Sequence, residues 1–174
     1  MTRAEVTELF AVLMIAYPNA EMFKAPDKES LKAKLAPTIT LWATCLRDID
    51  FWAGQKAVIR VCQTCKFPPT IAEMREAAEA ELHELKTEVQ NAYLTARSYI
   101  SIEESLGGTA ESALEQMPTR TVKVIEAMGG MEAFIQPDKP GYNMSGFEAT
   151  YEALLRKNPI GLPGGAAAQK QLPD

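Results

Sequence analysis

An all-α protein is what this sequence predicts: a small N-terminal helical bundle, a long connecting helix and a smaller C-terminal helical part. Three observations carry that expectation. Aromatic residues make up only 7% of the 174 residues while Ala, Leu and Glu abound, which favours helix over sheet. Apolar residues recur at three- and four-residue spacings, the helical period. From Ile71 to Ser105 there is neither glycine nor proline. The expected divisions are residues 1–70 for the head, 71–106 for the connecting helix, 107–157 for the C-terminal part and 158–174 for a flexible tail.

In the head, Thr2 and Glu5 have the capping-box spacing and open a helix from about Arg3 to Ala16. Val6, Leu9, Phe10, Leu13 and Tyr17 share its apolar stripe, and Val12, Met14 and Ile15 make its second half apolar nearly all round. That half should be wrapped by other elements. Tyr17-Pro18 stops it, because a residue before proline is pushed out of the helical region. A second helix starts near Asp27 with Leu31, Leu35, Ile39, Trp42, Leu46 and Ile49 on one stripe. Pro37 falls inside it and predicts a kink or two short helices meeting there. Asp50 caps a third helix running to about Cys65, which buries Phe51, Val58, Ile59, Val61 and Cys62.

Lys66-Phe67-Pro68-Pro69-Thr70 then forms a rigid corner. Its prolines lack N–H donors and cannot continue the preceding helix, and Thr70 with Glu73 caps the next. Trp42, Phe67, Pro68 and Pro69 are the expected scaffold residues, with Phe67 as an aromatic plug at the apex. The following helix would be roughly 50 Å long if unbroken. Ala78, Leu82, Leu85, Val89, Ala92, Ala96 and Tyr99 form a coiled-coil-like seam along it. Packing against the chain's own C-terminal helices is the plain reading of that seam; pairing of two copies in a homodimer is the alternative.

Gly107-Gly108 ends the long helix. A short helix from Thr109 to about Met117 follows, and Pro118 suits the first position of another carrying Val122, Ile125 and Met128. After Gly129-Gly130 comes a small turn over Met131 to Ile135, and the last helix runs from about Ser145 to Lys157. Phe147, Tyr151, Leu154 and Leu155 lie on one face of it. They either dock on the long helix or enter a groove on another protein, and they are the expected partner-binding residues.

The charge of −5 argues against a protein that grips nucleic acid strongly by neutralising phosphates, although the first block has room for a local basic patch. Lys+Arg against Asp+Glu counts 9 and 7 over residues 1–70, 3 and 8 over 71–106, and 6 and 8 over 107–174, so the middle is the acidic part. No apolar run reaches the roughly 20 residues a membrane span needs, and no signal-peptide pattern opens the chain. Three cysteines, an odd number, fit free thiols in a reducing cytoplasm.

Catalytic, metal and cofactor sites are not expected. Cys62-Gln63-Thr64-Cys65 supplies only two of the four ligands of a structural zinc, even if Cys45 and His83 are considered as the others. Near a helix C-terminus the dipole opposes thiolate formation, so buried small hydrophobes are the default for this pair. His83, the sole histidine, has Glu79 one turn back, which reads as a solvated helix-face contact rather than a catalytic dyad. The glycine pairs form no phosphate-binding loop. Trp42, Trp52 and Phe67 lack the flanking cations of a base-stacking surface.

The N-terminal residues carry a further signal. Ala16-Tyr17-Pro18, then Leu41-Trp42 with Leu46 and Asp48-Ile49-Asp50, then Lys66 through Glu73 resemble the phage replicative-helicase loader and inhibitor family over about residues 1–75. Ala113 through Pro118, Ala127 through Gly130, Phe147 and Tyr151 are similar to the second half of phage replication proteins that carry this block. The resemblance implies a small helical protein without ATPase activity in the bacterial host cytoplasm. Its partners would be the hexameric replicative DNA helicase, held inactive and delivered to the origin, and an origin-binding initiator protein. A phage morphogenesis protein such as a tail-assembly chaperone, also small, acidic and helical, is the alternative.

Overall fold

The computed structural model describes residues 1–136 and 143–157. The predicted tail from Asn158, and the loop residues from Pro137 to Gly141, lie outside the described residues. Among the described residues there are eight α-helices and a 3-10 turn, with no strand, so the all-α expectation holds. The chain forms two compact units, Met1–Leu82 and His83–Asn158, and helix α4 (Ile71–Ser105) contributes to both.

In the first unit, α1 (Arg3–Ala16), α2 (Lys28–Cys45) and α3 (Phe51–Thr64) surround a shared core. The Thr2–Glu5 capping box forms as predicted, with Glu5 N–H donating to Thr2 Oγ1 at 3.3 Å and Thr2 N–H to Glu5 Oε2 at 2.6 Å. Val6, Leu9, Phe10, Val12 and Leu13 are buried, and Phe10 meets the edge of Trp42 with ring centroids 4.9 Å apart. Met14 and Ile15 are 38% and 58% exposed, contrary to the expected wrapping. The reason is that α2 and α3 pack on α1 from one side and leave the other open. The Met1 ammonium donates to the carbonyls of Leu46, Arg47 and Ile49 in the turn between α2 and α3.

Helix α2 runs through Pro37 rather than dividing there. Both Pro37 and Ala33, whose carbonyl loses its helical donor, are exposed, so water can replace the missing bond. Helix α3 turns Ala53, Gly54, Ala57, Val58 and Val61 inward, leaving Phe51, Ile59 and Cys62 half-buried rather than buried. Small residues on that face allow close approach. A Cβ at Gly54 would stand 2.6 Å from Met1 Sδ. The Tyr17 hydroxyl bonds the carbonyls of Val61 and Cys65 at 3.2 and 3.0 Å, tying the end of α1 to the end of α3.

At the corner, Pro69 is buried and Pro68 half-buried, but Phe67 is 71% exposed. It is not a plug. The unit's core already contains Met74, fully buried, with Ile71 packed against it, and the Phe67 ring instead lies under the Lys66 ammonium, 5.8 Å away. The start of α4 is tied down by the Thr70–Glu73 capping box and by Arg75, which bonds Asp48 at 2.6 Å and the Cys45 carbonyl at 2.8 Å. Arg60 Nε donates to Glu81, a buried carboxylate, at 2.7 Å.

The second unit continues with α5 (Ala110–Leu114), α6 (Thr119–Ala127), α7 (Met131–Phe134) and α8 (Met144–Lys157). Gly107, at φ +80, ends α4: its N–H reaches the Glu104 carbonyl while Gly108 N–H reaches that of Glu103, the paired bonds of a Schellman motif. Pro118 stands at the N-cap of α6, one position earlier than predicted. Helix α6 packs on α7 and α8. Of the predicted seam, Ala78, Leu85, Val89 and Ala96 are buried and Leu82, Ala92 and Tyr99 half-buried, so the chain itself covers this face.

Candidate functional site

Three helices of the second unit converge on one aromatic cluster. Tyr93 of α4 meets Phe134 of α7 and Phe147 of α8 edge-on, at 5.6 and 5.5 Å between ring centroids. Phe134 and Phe147 are 5.8 Å apart, and Tyr151 follows Phe147 by one helical turn at 6.1 Å. Such offset and edge contacts are the favoured aromatic geometries. Phe134 and Phe147 are wholly buried and Tyr151 is 2% exposed.

This corrects the expectation for the last helix. Phe147 and Tyr151, predicted to touch a partner, point inward, because α8 must bury its aromatic stripe to close the unit. Leu154 and Leu155 of the same predicted set are half-buried. Trp42, one of the expected scaffold residues, is 5% exposed within the core of the first unit.

Only the polar tip of Tyr151 reaches an open cleft of about 490 Å³, which is lined on α4 by Glu88, Asn91 and Thr95 and on α6 by Arg120 and Thr121. The Tyr151 hydroxyl donates to Glu88 Oε1 at 2.5 Å, and Arg120 Nη1 donates to the same oxygen at 2.8 Å. The guanidinium also lies 5.9 Å from the centre of the Tyr151 ring. Burial, followed by the Glu88 bond, holds the Tyr151 phenol above its ordinary range, and the Tyr151 bond keeps the Arg120 guanidinium protonated still more firmly than usual. One carboxylate serving two donors pairs the charge at the mouth, where Asn91 and Thr95 are exposed uncharged groups. No motif in the sequence marks Glu88. The available signal was Arg120, the sole Lys or Arg between Arg97 and Lys123.

Elsewhere, Cys45, Cys62 and Cys65 are free and half-buried, and burial pushes the Cys62 thiol up. No group of His, Cys, Asp or Glu is placed to hold a metal ion among the described residues. His83 is exposed, and Glu79, one turn back, pairs with Arg75 at 3.4 Å. Among the described residues no helix is long and apolar enough to cross a membrane.

The first unit, three capped helices closed by a proline corner and the start of a long helix, is a small all-α module. Residues 1–75 match the family model for the N-terminal domain of the phage SPP1 helicase loader/inhibitor protein. Over these residues the match bears out the resemblance drawn from the sequence. No curated protein and no solved structure matches the chain.

Proposed function

We propose that the protein is a non-enzymatic adaptor of phage or prophage DNA replication in the bacterial cytoplasm. It binds the hexameric replicative helicase, holds it inactive and delivers it to the origin through an initiator protein. The observation that carries this reading is the match of residues 1–75 to the loader/inhibitor N-terminal domain. Surface chemistry supports it. An acidic protein of net charge −5 is repelled by DNA yet attracted to basic DNA-handling proteins, so it can hold a helicase without competing for the template.

Inhibition then follows by population shift. A loader that binds a non-translocating conformation of the helicase more tightly than the active one draws the hexamer into it. Trp42, Pro68 and Pro69 act as scaffold in the head, while Leu154 and Leu155 remain candidates for partner contact, supported from behind by Phe147 and Tyr151. Size-exclusion chromatography with light scattering on the protein mixed with its cognate helicase, with and without ATP, tests the reading. A co-eluting complex and a helicase ATPase rate that falls on titration are expected. Unchanged ATPase and unwinding rates at saturating protein would sink the inhibitory part. Recovery of a tape-measure or tail protein in place of helicase from infected cells would replace the whole reading with the morphogenesis one.

A further inference from the structure

The end of α4 that the second unit leaves uncovered has the composition of a contact surface. Leu94, Ile102 and Leu106 are 54%, 54% and 77% exposed, and Leu106 is the most exposed large apolar residue among those described. Ile102 and Leu106 are one turn apart and therefore neighbours on the helix surface. Thr95, Ser98 and Ser105 share that exposed face, so it carries no charge and only short side chains between the apolar ones. Short side chains let another backbone approach closely.

The surroundings carry charge of one sign. From Ser98 to Thr119 there is no Lys or Arg, while Glu103, Glu104, Glu111 and Glu115 all fall within that stretch. Helix α5 folds back on the last turn of α4: Ser112 Oγ donates to Glu103 Oε2 at 2.9 Å, and Gln116 Nε2 donates to Oε1 of the same carboxylate. Glu104, Glu111 and Glu115 are exposed and form no ion pair among the described residues. Gly108 occupies the position of the Schellman motif where an apolar side chain commonly covers the helix end, so nothing from that position shields Leu106. The two Schellman bonds and the bonds to Glu103 hold the corner in one arrangement, which reduces the ordering cost of binding.

An uncharged apolar centre with a charged rim is the anatomy of a protein interface. The sign of the rim decides what fits. DNA and anionic membranes are repelled, and a second copy would bring acidic rim against acidic rim. We infer that Ile102 and Leu106, in a stretch of chain that carries Glu103, Glu104, Glu111 and Glu115 and no Lys or Arg, dock into an apolar groove bordered by Lys and Arg on the replicative helicase. This inference rests on the helicase reading above and names the surface that reading lacks.

Binding of the full chain to the cognate hexameric helicase, measured by biolayer interferometry, tests it. Ile102→Ser with Leu106→Ser should weaken binding by about 30-fold or more, the scale of an interface hot spot. Leu106→Ser alone, at the more exposed position, should weaken it in the same direction if the double variant is poorly folded. Changing Glu104, Glu111 and Glu115 to Lys should slow association about tenfold at low salt and flatten its salt dependence. Phe67→Ser, similarly exposed but in the first unit, should bind as the parent does. If the parent binds and the Ile102 and Leu106 variants bind equally well, this surface is wrong while the helicase reading stands. If the parent itself does not bind helicase, both fall.

Discussion

Tyr151 and Glu88, 63 residues apart in sequence, meet through a hydroxyl-to-carboxylate hydrogen bond of 2.5 Å that joins α8 to α4. Replacing Tyr151 by Phe keeps the ring in the aromatic cluster and removes only this bond and the weaker 3.4 Å contact with Arg120. Because Glu88 is half open to water, the loss should be about 1 kcal/mol rather than the larger cost of a buried charged bond. A urea titration of Tyr151→Phe against the parent measures it. An unchanged midpoint would show that the bond contributes nothing. The raised phenol adds a sign: the folded form ionises later than the unfolded one, so this contribution is lost as pH rises past about 10.

Phe147 distinguishes a core residue from a contact residue. It is wholly buried against Tyr93 and Phe134, so Phe147→Ala should cost about 3–5 kcal/mol of stability. Leu155→Ser, at a half-buried position, should cost far less. Chemical denaturation of both variants decides between the roles. A Phe147→Ala protein as stable as its parent, yet defective in partner binding, would restore the contact role.

Acid should weaken the first unit through carboxylates that its fold holds ionised. The Arg75 bond holds Asp48 below the usual carboxylate range, the Thr70 amide does the same for Glu73, and the Ser30 amide for Asp27. In each case the folded group binds its proton less readily than the unfolded one. The stabilisation is therefore full above about pH 4 and is lost as pH falls through the depressed folded values. Thermal midpoints should be flat near neutrality and drop below about pH 4. Asp48→Asn should lower the neutral midpoint and shrink the acid-induced drop. Parallel pH profiles for variant and parent would contradict this.

Helix positions were legible because their signals are local. Thr2, Asp27, Asp50 and Thr70 announce helix starts by hydrogen bonding to nearby amides, and Gly107 announces an end by taking up positive φ. Burial was less legible, since periodicity shows that a stripe exists but not how far neighbours extend over it. Met14 and Ile15 sit on a helix half that is apolar nearly all round, and Phe67 at the apex of the proline corner, yet all three face outward. The reverse error occurred at α8, where Phe147 and Tyr151 were given to a partner although the chain already supplied Tyr93 and Phe134 to cover them. The meeting of Glu88, Arg120 and Tyr151 depends on three helices distant in sequence, and no local pattern encodes it.

The two units carry different chromophores. Both tryptophans, Trp42 and Trp52, belong to Met1–Leu82, whereas Tyr93, Tyr99 and Tyr151 belong to His83–Asn158. Red-edge excitation of indole emission thus follows melting of the head alone, and near-ultraviolet dichroism of the phenol bands follows mainly the other half. A single denaturant series read at both signals reveals whether a chain joined through one uninterrupted helix comes apart in one cooperative step or in two.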